Sequence, residues 1–226
     1  MTARTDTDPA LPILPGHKEK PARVPFPGVP GRGVFITDGW RRSNWQPVLI
    51  AARIAAAGFT WAATQADDTP DGIGPAFVQA MHARDLRAGV WEPRVDYGTP
   101  ARVAQGYDFY IGQVEGPGQY DRLVASLAAF RAAHPTMPAA CVTNFGGLDD
   151  QNVRPLIEAG FACITESHVR ESVGTTIEAQ LDYARRVLGW PDPQPMIGLG
   201  AGATRADYPG WETYPGVSVF TAEQAL

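Results

Sequence analysis

From Gly33 onward, short apolar runs alternate with alanine-rich segments of helical period, and this alternation repeats to the end of the chain. Such a pattern constrains the fold strongly. A strand followed by a helix and then another strand places the two strands parallel, with the helix covering one face of the sheet. Eight runs read as strands: Gly33–Asp38, Phe59–Gln65, Leu86–Glu92, Asp108–Glu115, Ala139–Asn144, Phe161–Glu166, Met196–Gly200 and Val217–Phe220. Between them, Pro47 opens a helix over Val48–Ala57 that Gly58 closes, as proline at a helix start and glycine past its end are suited to do. Further helices are predicted over Pro75–Arg84, Gln119–Ala133, Asp149–Ala159 and Thr175–Leu188, the last with Ile177, Leu181, Ala184 and Leu188 on one stripe. The expected fold is a single α/β (β/α)8 TIM-type barrel over residues 33–226, trimmed at helices 3, 7 and 8. Its 226 residues suit one barrel domain.

Residues 1–32 differ. They hold seven prolines and three glycines. Proline fixes φ and removes a donor, so this stretch is expected to be an extended arm rather than regular structure. It is expected to dock on a protein partner, on a second copy of the chain, or on the underside of the barrel.

Composition excludes several functions. No apolar run approaches the length of a membrane span, and no apolar region follows Met1-Thr-Ala-Arg. The expectation is a chain with neither membrane segment nor signal peptide, located in the cytoplasm, or in a virion if it is a phage component. The net charge of −5 and the lack of a dense basic cluster argue against nucleic acid. Both lysines, Lys18 and Lys20, lie in the arm. The barrel therefore has no amine for Schiff-base or pyridoxal chemistry. Cys141 and Cys163 occupy matching contexts and read as buried free thiols on neighbouring strands.

In such a barrel the chemistry sits at the C-terminal strand ends. Those ends supply Asp38, Asp67, Glu92, Glu115, Asn144 and Glu166, with Trp40 and Trp91 among the aromatics near them. Carboxylates rimmed by aromatics suit a carbohydrate, since ring faces stack on C–H faces and acceptors meet hydroxyls. Glycosidic cleavage needs one protonated and one ionised carboxyl. Glu115 is the candidate acid, and Glu166 or Asp38 its partner, with Glu92 a further alternative. Gln113, Trp40, Trp91, Glu92, Asn144 and Asp67 are candidate substrate contacts. His168 lies two residues past Glu166, but the other histidines fall elsewhere, so no metal is expected, nor any cofactor. A glycine-rich stretch after the seventh strand, residues 198–205, offers an alternative: a small-molecule enzyme holding an anionic group on backbone N–H groups.

Three stretches also carry a resemblance. Gly-Val-Phe-Ile-Thr-Asp-Gly-Trp at 33–40, Ala-Ala-Gly-Phe-Thr-Trp-Ala-Ala-Thr-Gln at 56–65 and Ala-Arg-Asp-Leu-Arg-Ala-Gly-Val-Trp at 83–91 are similar to the first three units of glycoside hydrolase family 25, the lysozyme-type barrels. Asn44-Trp-Gln and Cys141-Val-Thr-Asn144 add to the likeness. It implies cleavage of peptidoglycan glycan strands, and it maps the family's catalytic glutamate, the last residue of an Asp-x-Glu motif, onto Glu115. Here that motif reads Gln113-Val-Glu115, an amide replacing the first acid, and Asp38 falls about two residues late for the family's first-strand aspartate. Glycosidase-like barrels also occur in phage tails. The expectation is thus a carbohydrate-directed, hydrolase-like barrel or a non-catalytic structural or glycan-binding barrel of a virion.

Overall fold

A computed structural model describes residues 26–28, 31–36, 46–65, 73–92, 105–114, 120–144, 153–168, 176–198, 206, 208–214, 216 and 218–220. The strands are β1 Gly33–Ile36, β2 Trp61–Gln65, β3 Arg87–Glu92, β4 Phe109–Val114, β5 Ala139–Asn144, β6 Ala162–His168, β7 Gln194–Gly198 and β8 Ser218–Phe220. The helices are α1 Pro47–Ala56, α2 Ile73–His82, α3 Tyr120–Ala133, α4 Arg154–Glu158 and α5 Ile177–Arg186. Each strand pairs in parallel with the next in sequence, giving one curled sheet. The three-residue β8 pairs with β7 on one side and β1 on the other, which closes the sheet. Helices follow β1, β2, β4, β5 and β6, while a 3-10 turn at Trp211–Thr213 lies between β7 and β8. The poor third helix expected near residues 100–104, and whatever follows β8, lie outside the described residues.

Side chains alternate between the two faces of each strand. Outward-facing Val34, Ile36, Ala62, Val90, Tyr110, Cys141 and Ile197 pack with Ile50, Ile54, Phe77, Met81, Leu127 and Leu156 from the helices. Inward-facing Phe35, Trp61, Ala63, Trp91, Phe109, Ile111, Val142, Ile164 and Met196 fill the interior. The stripe on α5 falls as its spacing predicts, with Ile177, Leu181, Ala184 and Leu188 all buried. Thr176 caps that helix by accepting from the N–H of Ala179 at 3.1 Å.

Only β5 keeps its expected bounds; the other strands differ by one or two residues at one or both ends, and two extend beyond their expected spans. β7 starts at Gln194, two residues before the predicted Met196, with Pro195 in its second position. Proline is tolerated near the start of a strand, where one missing N–H breaks little of the ladder. The hydroxyl of Thr165 donates to the Gln194 carbonyl at 3.1 Å. β6 continues to His168, two residues past its predicted end, because β7 offers Ile197 and Gly198 as partners for Ser167 and His168.

Phe26 belongs to the interior. Its ring stands edge-on to Trp61 (centroids 6.5 Å apart) and to Phe109 (5.2 Å), the first residues of β2 and β4. It therefore sits at the N-terminal, or lower, end of the strands. With the side-chain amide of Gln194, the first residue of β7, turned so that its nitrogen faces the two carbonyls, it donates to those of Phe26 and Gly216, each at 3.2 Å, and accepts from the N–H of Phe26.

Cys141 and Cys163 are in register on β5 and β6, and both are free and buried. Burial pushes the Cys163 thiol up to about 12, and burial together with the neighbouring Cys163 pushes Cys141 well above the ordinary thiol range. The folded state thus disfavours the thiolates. The stability that goes with the neutral thiols is fully present below their unfolded value of about 8.5. It is lost as pH rises through that value towards 12. A Cys141→Ala/Cys163→Ala double variant is expected to lose less stability between pH 8 and pH 11 than the parent. Urea midpoints at the two pH values measure the difference, and equal losses would show that the thiols contribute nothing to alkaline unfolding.

Candidate functional site

The upper end of the barrel is built by strand alternation. Phe109 and Ile111 of β4 face the interior, so Gln113, two residues further on, faces it as well. Ile164 of β6 does the same for Glu166. Gln113 is 7% exposed and Glu166 4% exposed. Both polar groups therefore lie below the surface, above an apolar interior of Ile111, Val142, Ile164 and Met196. The Oε1 atom of Gln113 is buried with no hydrogen-bond partner among the described residues. An acceptor left in that state costs about 1–3 kcal/mol. Glu166 is in register with Asn144 on one side and Met196 on the other.

Two expected contacts are placed differently. Trp91 does face inward, but it is 3% exposed and its ring stands edge-on to Phe35 at 5.4 Å. It fills the core rather than offering an open stacking face. Glu92 turns the other way. It shares the outward face with Ala88 and Val90 and accepts from the Tyr110 hydroxyl at 3.0 Å. Tyr110 itself stacks on Phe130 of α3 at 4.3 Å. Adjacent strand residues point to opposite faces, so Trp91 and Glu92 cannot both face the mouth. Glu92 is consequently a buried carboxylate of the outer layer and not a contact of the interior site.

Glu115, Asp38, Asp67 and Trp40 lie outside the described residues, as does most of the glycine-rich stretch at 198–205. For Asn144 the structure gives a backbone position, the last residue of β5. One interior residue was missed in the sequence. Gln65 ends β2 on the same face as Trp61 and Ala63, and is in register with Trp91. Its signal lies in the alternation of Trp61-Ala-Ala-Thr-Gln65, which puts Gln65 on the face of Trp61, whereas Asp67 beyond it is the more conspicuous group. Among the described residues no group of three or more metal-ligating side chains occurs. Chemically, two amides and a carboxylate offer donors and acceptors to hydroxyl groups. The carboxylate also provides a proton-transfer or nucleophilic group.

The curled parallel sheet with external helices places the chain among TIM-barrel-type structures. The chain is similar to a xylanase-A-amylase inhibitor protein (10% identity, TM-score 0.56, covering 84% of this chain and 93% of that one). It is also similar to a truncated 3-deoxy-D-arabino-heptulosonate 7-phosphate synthase from Thermotoga maritima (13%, TM-score 0.55, 84% and 75%). A third similar structure is the D-psicose 3-epimerase of Clostridium cellulolyticum H10 with D-tagatose (11%, TM-score 0.52, 84% of each chain). At these identities the likeness is one of fold. No family model matches the chain, and no curated protein matches it in sequence. Among the described residues no helix is long and apolar enough to cross a membrane.

Proposed function

We propose that the chain is a full (β/α)8-type barrel directed at a carbohydrate, a polysaccharide or cell-wall glycan, and that it works as a glycoside hydrolase from the upper end of the strands. The observation that carries this reading is the convergence of Gln113 and Glu166 on the inner face of β4 and β6, over an apolar floor. Glu115, the candidate acid read from the sequence, is taken in this reading as the partner of Glu166. The two carboxyls would then work as the pair that glycosidic cleavage requires. The family 25 likeness rests on the residues alone and agrees with this assignment. The experiment is release of reducing ends from bacterial cell walls and a panel of glycans. Glu115→Gln is expected to lower the rate by about a hundredfold or more, since it removes the proton donor while keeping the shape. Unchanged release in the variant would overturn the role of Glu115.

A second reading is a non-catalytic glycan-binding or structural barrel, as in a phage tail. Two observations favour it: an amide, Gln113, stands where the family 25 motif has an acid, and Trp91 is consumed by the core. A barrel of this type is also found in a protein described as an inhibitor. In this reading the arm, anchored by Phe26 at the lower end, holds a protein partner or a second copy while the upper end faces the glycan. Binding of cell-wall glycan without release of reducing ends would select it.

A further inference from the structure

Gln65 and Gln113 bring two amides to the same end of the inner face, and nothing in the hydrolase scheme uses the first of them. Gln65 is in register with Trp91, which is in register with Ile111. Gln113 lies one inward position further along β4, and Glu166 lies one inward position beyond Ile164, the register neighbour of Val142. Resting on the carbohydrate reading above, we infer that these two amides form a pair that reads the hydroxyls of a single neutral sugar ring, a monosaccharide or the end unit of a chain, held within the barrel.

Depth is the first argument. Gln113 and Glu166 are more than nine-tenths buried, so the part of a ligand that meets them is small, a single ring or the end unit of a chain. Chemistry is the second. A primary amide carries a donor and an acceptor side by side, so it can accept from one hydroxyl and donate to its neighbour without bringing a charge. The third argument is the buried Oε1 of Gln113, which lacks a hydrogen-bond donor and would gain one from a ligand hydroxyl. The apolar floor of Ile111, Val142, Ile164 and Met196 is suited to the C–H surface of the ring. Gln65 is thus assigned a specificity role.

The test is isothermal titration of the full chain with D-glucose, D-fructose and N-acetyl-D-glucosamine, with the 6-phosphates of each, and with soluble cell-wall glycan. Gln65→Leu, Gln113→Leu and Gln113→Glu are run beside the parent after circular dichroism shows them folded. At least one neutral monosaccharide is expected to bind, its phosphate no more tightly. Either leucine variant is expected to weaken it by about tenfold or more, because a ligand hydroxyl loses its amide partner. Should Gln113→Leu fail to fold, Gln65→Leu and Gln113→Glu carry the comparison. Binding of phosphates alone, or parent-like affinity in both of the amide positions' variants, overturns the inference. Binding of glycan chains but of no monosaccharide overturns it while leaving the carbohydrate reading intact. Binding of no carbohydrate at all overturns both.

Discussion

Phe26→Ala is expected to destabilise the barrel by about 3–5 kcal/mol, the range for removing a large aromatic from a core. The whole stability of a domain is on the order of 5–15 kcal/mol, so one residue of a proline-rich arm would account for much of it. The argument rests on where the ring sits. Phe26 is 7% exposed and closes the lower end of the interior against Trp61 and Phe109. Those two rings also meet one another at 5.5 Å, so the three aromatics form one cluster. Truncation leaves a void bordered by rigid rings that cannot collapse into it. Gln194 keeps its bonds to the backbone of residue 26 in the variant, so the loss measured is that of the ring. Urea denaturation gives the difference in free energy, and Phe26→Leu should recover part of it. A change below about 1 kcal/mol would mean that the segment is a strap the barrel can do without.

This dependence was hidden in the sequence. The prolines around Phe26 mark an extended arm, and nothing local distinguishes an aromatic that enters a core from one that stays outside. The barrel strands were far easier to read. Their apolar runs are bounded by helix-ending glycines, and Gly58, Gly160 and Gly189 do adopt positive φ (76°, 79° and 75°). The partition of those strands between faces was not legible for a physical reason. A parallel sheet covered on both sides is apolar on both faces, so the alternation that would reveal orientation disappears. Val90-Trp91-Glu92 shows the consequence: the sequence offers an aromatic and an acid together, while the structure sends Trp91 inward and Glu92 to the helix layer. Once one inward residue of a strand is known, the rest follow by counting, which is how Gln65, Gln113 and Glu166 come together. Chemical prominence was a poor guide by comparison, since it favoured Glu92 and passed over Gln65.

Gly89→Ala is expected to destabilise by about 3 kcal/mol or more, against the ordinary trend. Replacing a strand glycine by alanine reduces the freedom of the unfolded chain and, in open space, stabilises by about 0.5–1 kcal/mol. Space decides the sign here. A Cβ at Gly89 would lie 1.9 Å from Cε2 of Phe109 and 2.2 Å from its Cζ. The register pairs Gly89 with Phe109, so the glycine is the gap that the ring occupies. Phe109 has no free direction of retreat, since Trp61 and Phe26 stand edge-on to it. The same device recurs one strand pair away, where a Cβ at Gly33 would lie 1.9 Å from Trp61 Cε2 and the register pairs the two residues. Overpacking of this kind usually costs about 1–3 kcal/mol when side chains can shift. A fully buried ring enclosed by other rings places Gly89 at the upper end of that range or beyond it. A double-mutant cycle separates this cause from any other. Phe109→Leu alone removes ring contacts and is expected to be destabilising, but combined with Gly89→Ala it also removes the clash. The double variant should therefore be more stable than the sum of the single losses by at least about 1 kcal/mol. Additive losses would show that the alanine is accommodated without displacing Phe109, and that the glycines at 33 and 89 are not the gaps on which the aromatic floor of this barrel depends.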